Sequence, residues 1–300
     1  MSIDVKNSPF QPGIPVSPNN FKGRKDIIEE IIRYFPAIAL GRPQHFFILG
    51  ERGFGKSSLA KFIINSAKKD YSMLGVHIMN DSVHTVDELI IQIIEVILNE
   101  IKSESWAQRI FDFFNNHIEK VGVGGLTIKF NPSNDELKNI KDHFSFYLID
   151  LVRNFEDKKG LLIVIDDING LSDTPEFANW YKSFVDTMAT SYNNEAPIGI
   201  ILTSYEEKFL KLNYHNPSFK RIFHVHKLDN LSYDEVLDFY EDIFDSVNMD
   251  YEEEALEIMT KYSSGMPVTM HEIGDASFWN DNDNYISTDD ALFGVIKAKL

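Results

Sequence analysis

Short, continuous apolar runs of strand length recur along the chain, at 45–49 (HFFIL), 75–79 (GVHIM), 161–165 (LLIVI), 198–203 (IGIILT) and 222–226 (IFHVH). Between them, apolar residues return at helical spacing over 57–69, 85–103, 133–156 and 174–193. Unbroken apolar strands that alternate with helices predict a parallel sheet covered on both faces, since such strands are buried on both sides. After Leu228 only helical patterns remain, at 232–246, 251–262, 266–279 and 287–299. Ser232 with Glu235 three residues later has the spacing of a capping box. The expected division is an extended arm (1–20), an α/β domain (21–228) and a small all-helical domain (229–300).

Residues 104–132 interrupt this rhythm. Trp106, Ile110, Phe113, Phe114 and Ile118 recur at helical spacing, and GLTIKF (125–130) then alternates like an edge strand. Two readings stay open: an insertion that folds its stripe onto the core, or a docking surface for another subunit or partner. The arm carries Pro9, Pro12, Pro15 and Pro18 and lacks the apolar stretch of a secretory signal, so a cytoplasmic location is expected. The most apolar long run, 86–101, holds four acidic residues and reads as a buried helix, with no membrane span expected.

Composition narrows the choices further. Cysteine is absent, which removes disulfides and cysteine-ligated zinc. The formal net charge is −17, so direct nucleic-acid binding by this chain is not expected without a local basic patch or another domain.

The first apolar run leads into GERGFGKS, residues 50–57, and a helical pattern follows at once. This matches G-x-x-x-x-G-K-[ST], a loop whose backbone N–H groups and helix start hold a polyphosphate. Gly50, Gly53 and Gly55 let the chain wrap closely, with Glu51, Phe54 and Ser58 completing the cradle, and Arg52 reads either as a phosphate contact or as a solvent-facing charge. Lys56 is expected on the β- and γ-phosphates and the Ser57 hydroxyl on Mg²⁺. A second strand, LLIVIDD (161–167), ends in two carboxylates. Asp166 is the expected metal partner, and Asp167 stands where a base polarising water is needed. Thr203 and Ser204 end IGIILTS, either as an ordinary polar strand end or as donors to the γ-phosphate or the water. His224 and His226 share a strand face without a third ligand at suitable spacing, and read as strand residues.

In this order the motifs resemble an AAA+ P-loop ATPase, close to the initiator (origin-recognition-like) and STAND branches. FKGRKDIIEEI (21–31) resembles the family's opening motif, which implies that Gly23 and Arg24 lie beside the adenine. NPSFKRIF (216–223) resembles the segment bearing an arginine finger, here Arg221. SSGMPVTMHEIG (263–274) resembles the G-x-P signature opening a lid helix, here with Pro267, and the helical tail resembles the lid. The resemblance implies strand order 5-1-4-3-2 and ATP between the α/β domain and the lid. Three departures stand out. Asp167 replaces a common Glu, the usual asparagine of the third motif is replaced by Thr203 or Ser204, and no lid arginine follows Gly265. His271 is the nearest stand-in for that arginine and reads more simply as a packing residue.

The expected function is an ATP-binding, slowly hydrolysing switch with ATP or ADP and Mg²⁺ as ligands, coupling nucleotide state to lid movement or assembly. Nucleotide-dependent self-association and an unidentified protein partner or appended domain are the expected outputs. The rival expectation is a nucleotide-gated interaction module with negligible turnover.

Overall fold

The computed structural model describes residues 7–80, 83–100, 118–121, 127–153, 155, 157–191 and 195–298. Its first half runs α1 (Lys25–Ile32), α2 (Phe35–Ala39), β1 (Gln44–Leu49), α3 (Lys56–Asp70), β2 (Leu74–Met79) and α4 (Val86–Glu100). Then come β3 (Ile118–Val121), β4 (Thr127–Phe130), α5 (Asn134–Asp142), α6 (Phe144–Arg153) and β5 (Leu161–Asp166). The α/β part ends with α7 (Pro175–Ser191), β6 (Ile198–Ser204), α8 (Glu206–His215) and β7 (His224–Lys227). The tail holds α9 (Tyr233–Ser246), β8 (Asp250–Tyr251), α10 (Glu253–Ser263), α11 (Pro267–Asn280), β9 (Tyr285–Ile286) and α12 (Thr288–Lys297).

The chain divides into two compact units: 28–49 with 63–227, and 1–27 with 50–62 and 228–300. The larger unit is built on a five-stranded sheet, order β2-β5-β6-β1-β7, in which every pairing is parallel. Counted among these five strands alone, the order is the expected 5-1-4-3-2. β5 and β6 are buried at every position, as continuous apolar runs require when helices cover both faces. On one side α4 buries Leu89, Ile90, Ile93, Ile94 and Ile97. Elsewhere the core is aromatic: Tyr181 stacks on Phe223, and Phe47 meets Phe209 with ring centroids 4.6 Å apart. The register sets Ile48 beside Thr203, Leu49 beside Ser204 and Met79 beside Asp166. Asp166, Thr203, Ser204 and Leu49 therefore end their strands at one carboxyl edge, the edge where open parallel sheets bind ligands.

The smaller unit has its own core of Phe239, Tyr240, Phe244, Leu256, Met270, Ile273 and Phe278, with Phe10 of the arm among them. Ser232 and Glu235 form the expected capping box at the head of α9. Similar boxes open α5, from Ser133 and Glu136, and α12, from Ser287 and Asp290.

Several expectations need correction. The tail is not wholly helical, because β8 and β9 pair in parallel across two residues each. The helical stretch 133–156 is two helices, broken at His143, whose φ of −119° leaves the helical region. The fifth sheet strand begins at His224, since Ile222 closes a 3-10 turn, Phe219–Ile222. Ile118 belongs to a strand and not to a helical stripe, and β4 pairs antiparallel with β3 in a separate sheet. The remainder of that stripe, Trp106 to Phe114, lies outside the described residues. Among the described residues no helix is long and apolar enough to cross a membrane.

Candidate functional site

β1 ends at Leu49, and the next residue opens the glycine loop. Gly53 and Gly55 take φ of 87° and 83°, values that L side chains rarely adopt, so the two glycines set the curl of the loop. A Cβ on Gly53 would meet Val268 Cγ1 at 2.7 Å, whereas one on Gly55 would meet only Pro267 Cγ, at 4.0 Å. The ladder of α3 starts with Leu59 N–H donating to Gly55 O at 2.9 Å. The N–H groups just before it lie ahead of that ladder, where a helix start favours an anion. Lys56 folds its ammonium over the loop, donating to Gly50 O at 2.7 Å and Glu51 O at 3.1 Å. Glu51 and Arg52 are exposed, and Phe54 and Ser57 are half-buried. Ser58 Oγ accepts the Val16 N–H of the arm at 3.2 Å.

The same unit places the opening motif against the head of α9. Gly23 (φ 76°) leaves only 2.8 Å between a would-be Cβ and Leu231 Cδ2. Arg24 has φ 61°, its N–H donates to Glu235 Oε1 at 3.0 Å, and its guanidinium donates to Asp229 O. Partial burial lowers the Arg24 pKa, while Glu235 and Asp229 oppose that effect. Burial raises the Glu235 carboxyl, but hydrogen bonds from Ser232 and Arg24 outweigh it and leave the pKa below the usual range. One carboxylate thus caps α9 and holds Arg24. His271 is buried; its Nδ1 accepts the Gln11 N–H at 3.2 Å, and desolvation pulls its pKa to about 4. A neutral, enclosed imidazole of this kind is a packing residue and cannot serve as a cationic sensor.

At the carboxyl edge of the sheet, Asp166 is buried and held from two sides. His77 Nε2 lies 3.0 Å from Oδ2, and the Thr203 hydroxyl donates to Oδ1 at 2.5 Å. The same Thr203 oxygen accepts the Asp167 N–H at 2.8 Å. Asp167 sits at φ 62°, in the left-handed region that few side chains other than those of aspartate and asparagine enter readily. Its Oδ1 accepts from the Asn169 amide, and Asn169 Oδ1 in turn accepts from Ser204 Oγ at 3.1 Å. Thr203 and Ser204 therefore spend their hydroxyls on the two aspartates and on Asn169. Arg221 is exposed in its 3-10 turn, which Phe219 anchors in the core. Among the described residues no cluster of three or more His, Asp and Glu could hold a metal, and His226 meets Glu30 while His224 meets Gln44.

Three polar residues here escaped the sequence reading: His77, Asn169 and Asn80. Asn80, buried, donates to Asp167 O at 3.4 Å, and its own Oδ1 has no partner. The available signal was polarity out of place, with His77 inside an apolar run and Asn169 two residues past the carboxylates.

Residues 24–273 match the family described as an ATPase domain predominantly from Archaea. The chain belongs to this family. Its fold is that of origin-recognition P-loop ATPases among the solved structures. No curated protein matches it in sequence. Among solved structures it resembles the ADP form of the Aeropyrum pernix ORC2 protein, with TM-score 0.65 and 15% identity over 94% of this chain and 70% of that one. It also resembles a Walker-type ATPase of Pyrococcus abyssi, with TM-score 0.60 and 19% identity over 95% of this chain and 74% of that one. A third relative, the A. pernix ORC1 protein in complex with DNA, has TM-score 0.53 and 11% identity over 91% and 65%. At these identities the likeness speaks for the fold.

Proposed function

We propose that this chain is a slow ATP-hydrolysing switch whose nucleotide state is read by the helices after Leu228. The observation that carries this reading is the loop itself. Its two left-handed glycines, the helix start behind them and the Lys56 ammonium form the donor set that a polyphosphate needs. In this reading Lys56 exchanges its contacts with the Gly50 and Glu51 carbonyls for phosphate oxygens, from a position already over the loop. The Ser57 hydroxyl and the Asp166 carboxylate are hard oxygen ligands that suit Mg²⁺, which when bound neutralises charge on the β- and γ-phosphates.

In this reading Asp167 orients the attacking water, and its unusual backbone is maintained by Thr203 on the N–H and Asn169 on the carboxylate. Pro267 begins the lid helix beside Gly55, while Gly23 and Arg24 fix the opening motif to α9. Arg221 is assigned to a neighbouring copy in a nucleotide-dependent assembly. DNA contact, recorded for the ORC1 relative, gains no support from a net charge of −17.

One observation favours the second reading, a nucleotide-gated module with negligible turnover. Asp167 is a short carboxylate already engaged by Asn169, which weakens it as a base. ATP titration and steady-state phosphate release, each with Lys56→Ala as control, test both. Loss of the lysine should weaken ATP by roughly 1.5–3 kcal/mol, about ten- to a hundredfold or more. Parental ATP affinity in Lys56→Ala would remove the site assignment, and tight binding without phosphate release would select the second reading.

A further inference from the structure

The negative charge of the chain is concentrated at its C-terminal end. Of 46 acidic and 29 basic residues, 18 and 3 fall within 229–300, so this segment carries −15 of the formal −17. Residues 1–228 are close to balanced. The same acidic segment exposes large apolar side chains. Tyr233 is 51% exposed, Tyr262 47%, Leu292 40% and Ile296 79%. Leu292, Phe293 and Ile296 follow helical spacing, so α12 presents an apolar outer stripe on a strongly charged body.

Part of this surface borders a groove of about 640 Å³ that runs along α10, between the head of α9 and Leu292 of α12. Tyr233, Tyr262 and Leu292 give it apolar walls, and its exposed charges are Glu254, Glu257 and the single cation Lys261, whose ammonium lies 5.8 Å from the Tyr262 ring centroid. Clustered aromatic anchors inside a charged rim are the anatomy of a protein-docking surface, and the charge selects the partner's sign.

We propose that this groove docks a basic amphipathic helical segment of a partner protein. Its apolar face lies on Tyr262 and Leu292, and its Lys or Arg side chains lie beside Glu254 and Glu257. A second copy of this chain is a poor occupant, because residues 229–300 repel one another and the remainder offers no net positive charge. The inference does not rest on ATP binding, and its test needs no nucleotide.

The probe is a fluorescein-labelled Leu/Lys amphipathic helix of about 14 residues, compared by anisotropy with a twin carrying Glu for every Lys. The Lys peptide should bind in the micromolar range, and the Glu twin should not bind. Tyr262→Ala/Leu292→Ala and Glu254→Lys/Glu257→Lys should each weaken it about tenfold or more. Asp238→Lys/Asp245→Lys makes the same change of charge away from the groove and should cost about threefold or less. Tyr262→Phe keeps the ring and should bind like the parent, a check that does not depend on how well the alanine variant folds. Three results would overturn the proposal: equal loss in both charge-reversal pairs, which is long-range attraction alone; equal binding of the Glu twin; or a dimer in sedimentation that Tyr262→Ala/Leu292→Ala abolishes, which would make the groove a contact between copies.

Discussion

The backbone N–H of Val268, in the first turn of α11, donates to the carbonyl of Gly53 in the glycine loop at 3.3 Å. A helix start has N–H groups with no partner of their own, and here the loop supplies an acceptor for one of them. Gly265, just before α11, is equally constrained. A Cβ there would sit 2.1 Å from Leu231 O, and the Leu231 N–H donates to Gly265 O at 2.8 Å. Loop, α11 and the head of α9 thus form one continuous set of backbone contacts. A ligand that reshapes the loop must also move the start of α11.

That continuity makes Gly53→Ala a sharp test. The new side chain would be strained at φ 87° and would drive its Cβ to 2.7 Å from Val268 Cγ1. Left-handed strain alone costs about 1–2 kcal/mol. The variant should melt several degrees lower and bind ATP about tenfold more weakly. Adding Val268→Ala should recover part of the melting temperature by relieving the clash, but not the strain. Calorimetric titration and thermal melts on the three proteins decide this, and a Gly53→Ala protein with parental values would show that loop and α11 are uncoupled.

The hydroxyl of Thr203, placed between Asp166 and the Asp167 N–H, predicts two separable effects. Asp167→Asn keeps a residue type tolerant of left-handed backbone while removing the charge. It should hold ATP affinity within about threefold and lower phosphate release by about tenfold or more. Thr203→Val removes the donor to Asp166 Oδ1 and the acceptor of the Asp167 N–H. It should raise the Mg²⁺ concentration needed for half-maximal activity, with Thr203→Ser restoring it. Equal turnover in parent and Asp167→Asn would place the base elsewhere.

The sheet was legible because its strands are buried on both faces and read as continuous apolar runs, from Phe46–Leu49 to Ile198–Leu202. The glycine loop was legible because phosphate binding demands a rare local sequence. The short parallel pair of Asp250–Tyr251 with Tyr285–Ile286 was not, because two residues carry no period. The break at His143 was hidden by apolar residues that keep helical spacing on both sides of it. Roles at the carboxyl edge were the least legible. That Thr203 and Ser204 end a strand follows from local pattern, but their bonds to Asp166 and Asn169 depend on the register between β5 and β6.

Arg221 yields a prediction about assembly. It is exposed in a short turn held by Phe219 and Phe223 in the aromatic core, so its position is fixed while its charge faces outward. A guanidinium delivered to a neighbour's γ-phosphate stabilises charge that develops during transfer, an effect of about 10³ or more where it operates. Hydrolysis per molecule should therefore rise with protein concentration, and light scattering should rise with ATP but not with ADP. Arg221→Ala should remove the concentration dependence and leave ATP affinity unchanged. Flat specific activity in the parent over about a hundredfold range would return Arg221 to the role of a surface charge.

The arm gives a prediction in pH. Phe10 is buried between Phe239, Tyr240 and Phe244, a burial worth about 2 kcal/mol, and the adjacent Gln11 N–H needs the lone pair of His271 Nδ1. Burial lowers the His271 pKa from 6.5 to about 4. As pH falls through 6.5 the unfolded imidazole takes a proton and the folded one does not, so stability declines from there until about pH 4 and is fully present above 6.5. His45, buried and lowered to about 3, acts in the same direction in the other unit, so His271→Phe should remove only part of the acid sensitivity. The arm should also become cleavable by protease near Phe10 at pH 4.5 but not at pH 7.5. Gly274→Ala should make it cleavable at both, because its Cβ would lie 2.3 Å from Phe10 Cε1. If the arm is cut equally at both pH values in the parent, the His271 contact does not hold it, and if Gly274→Ala protects it, Phe10 is not the plug.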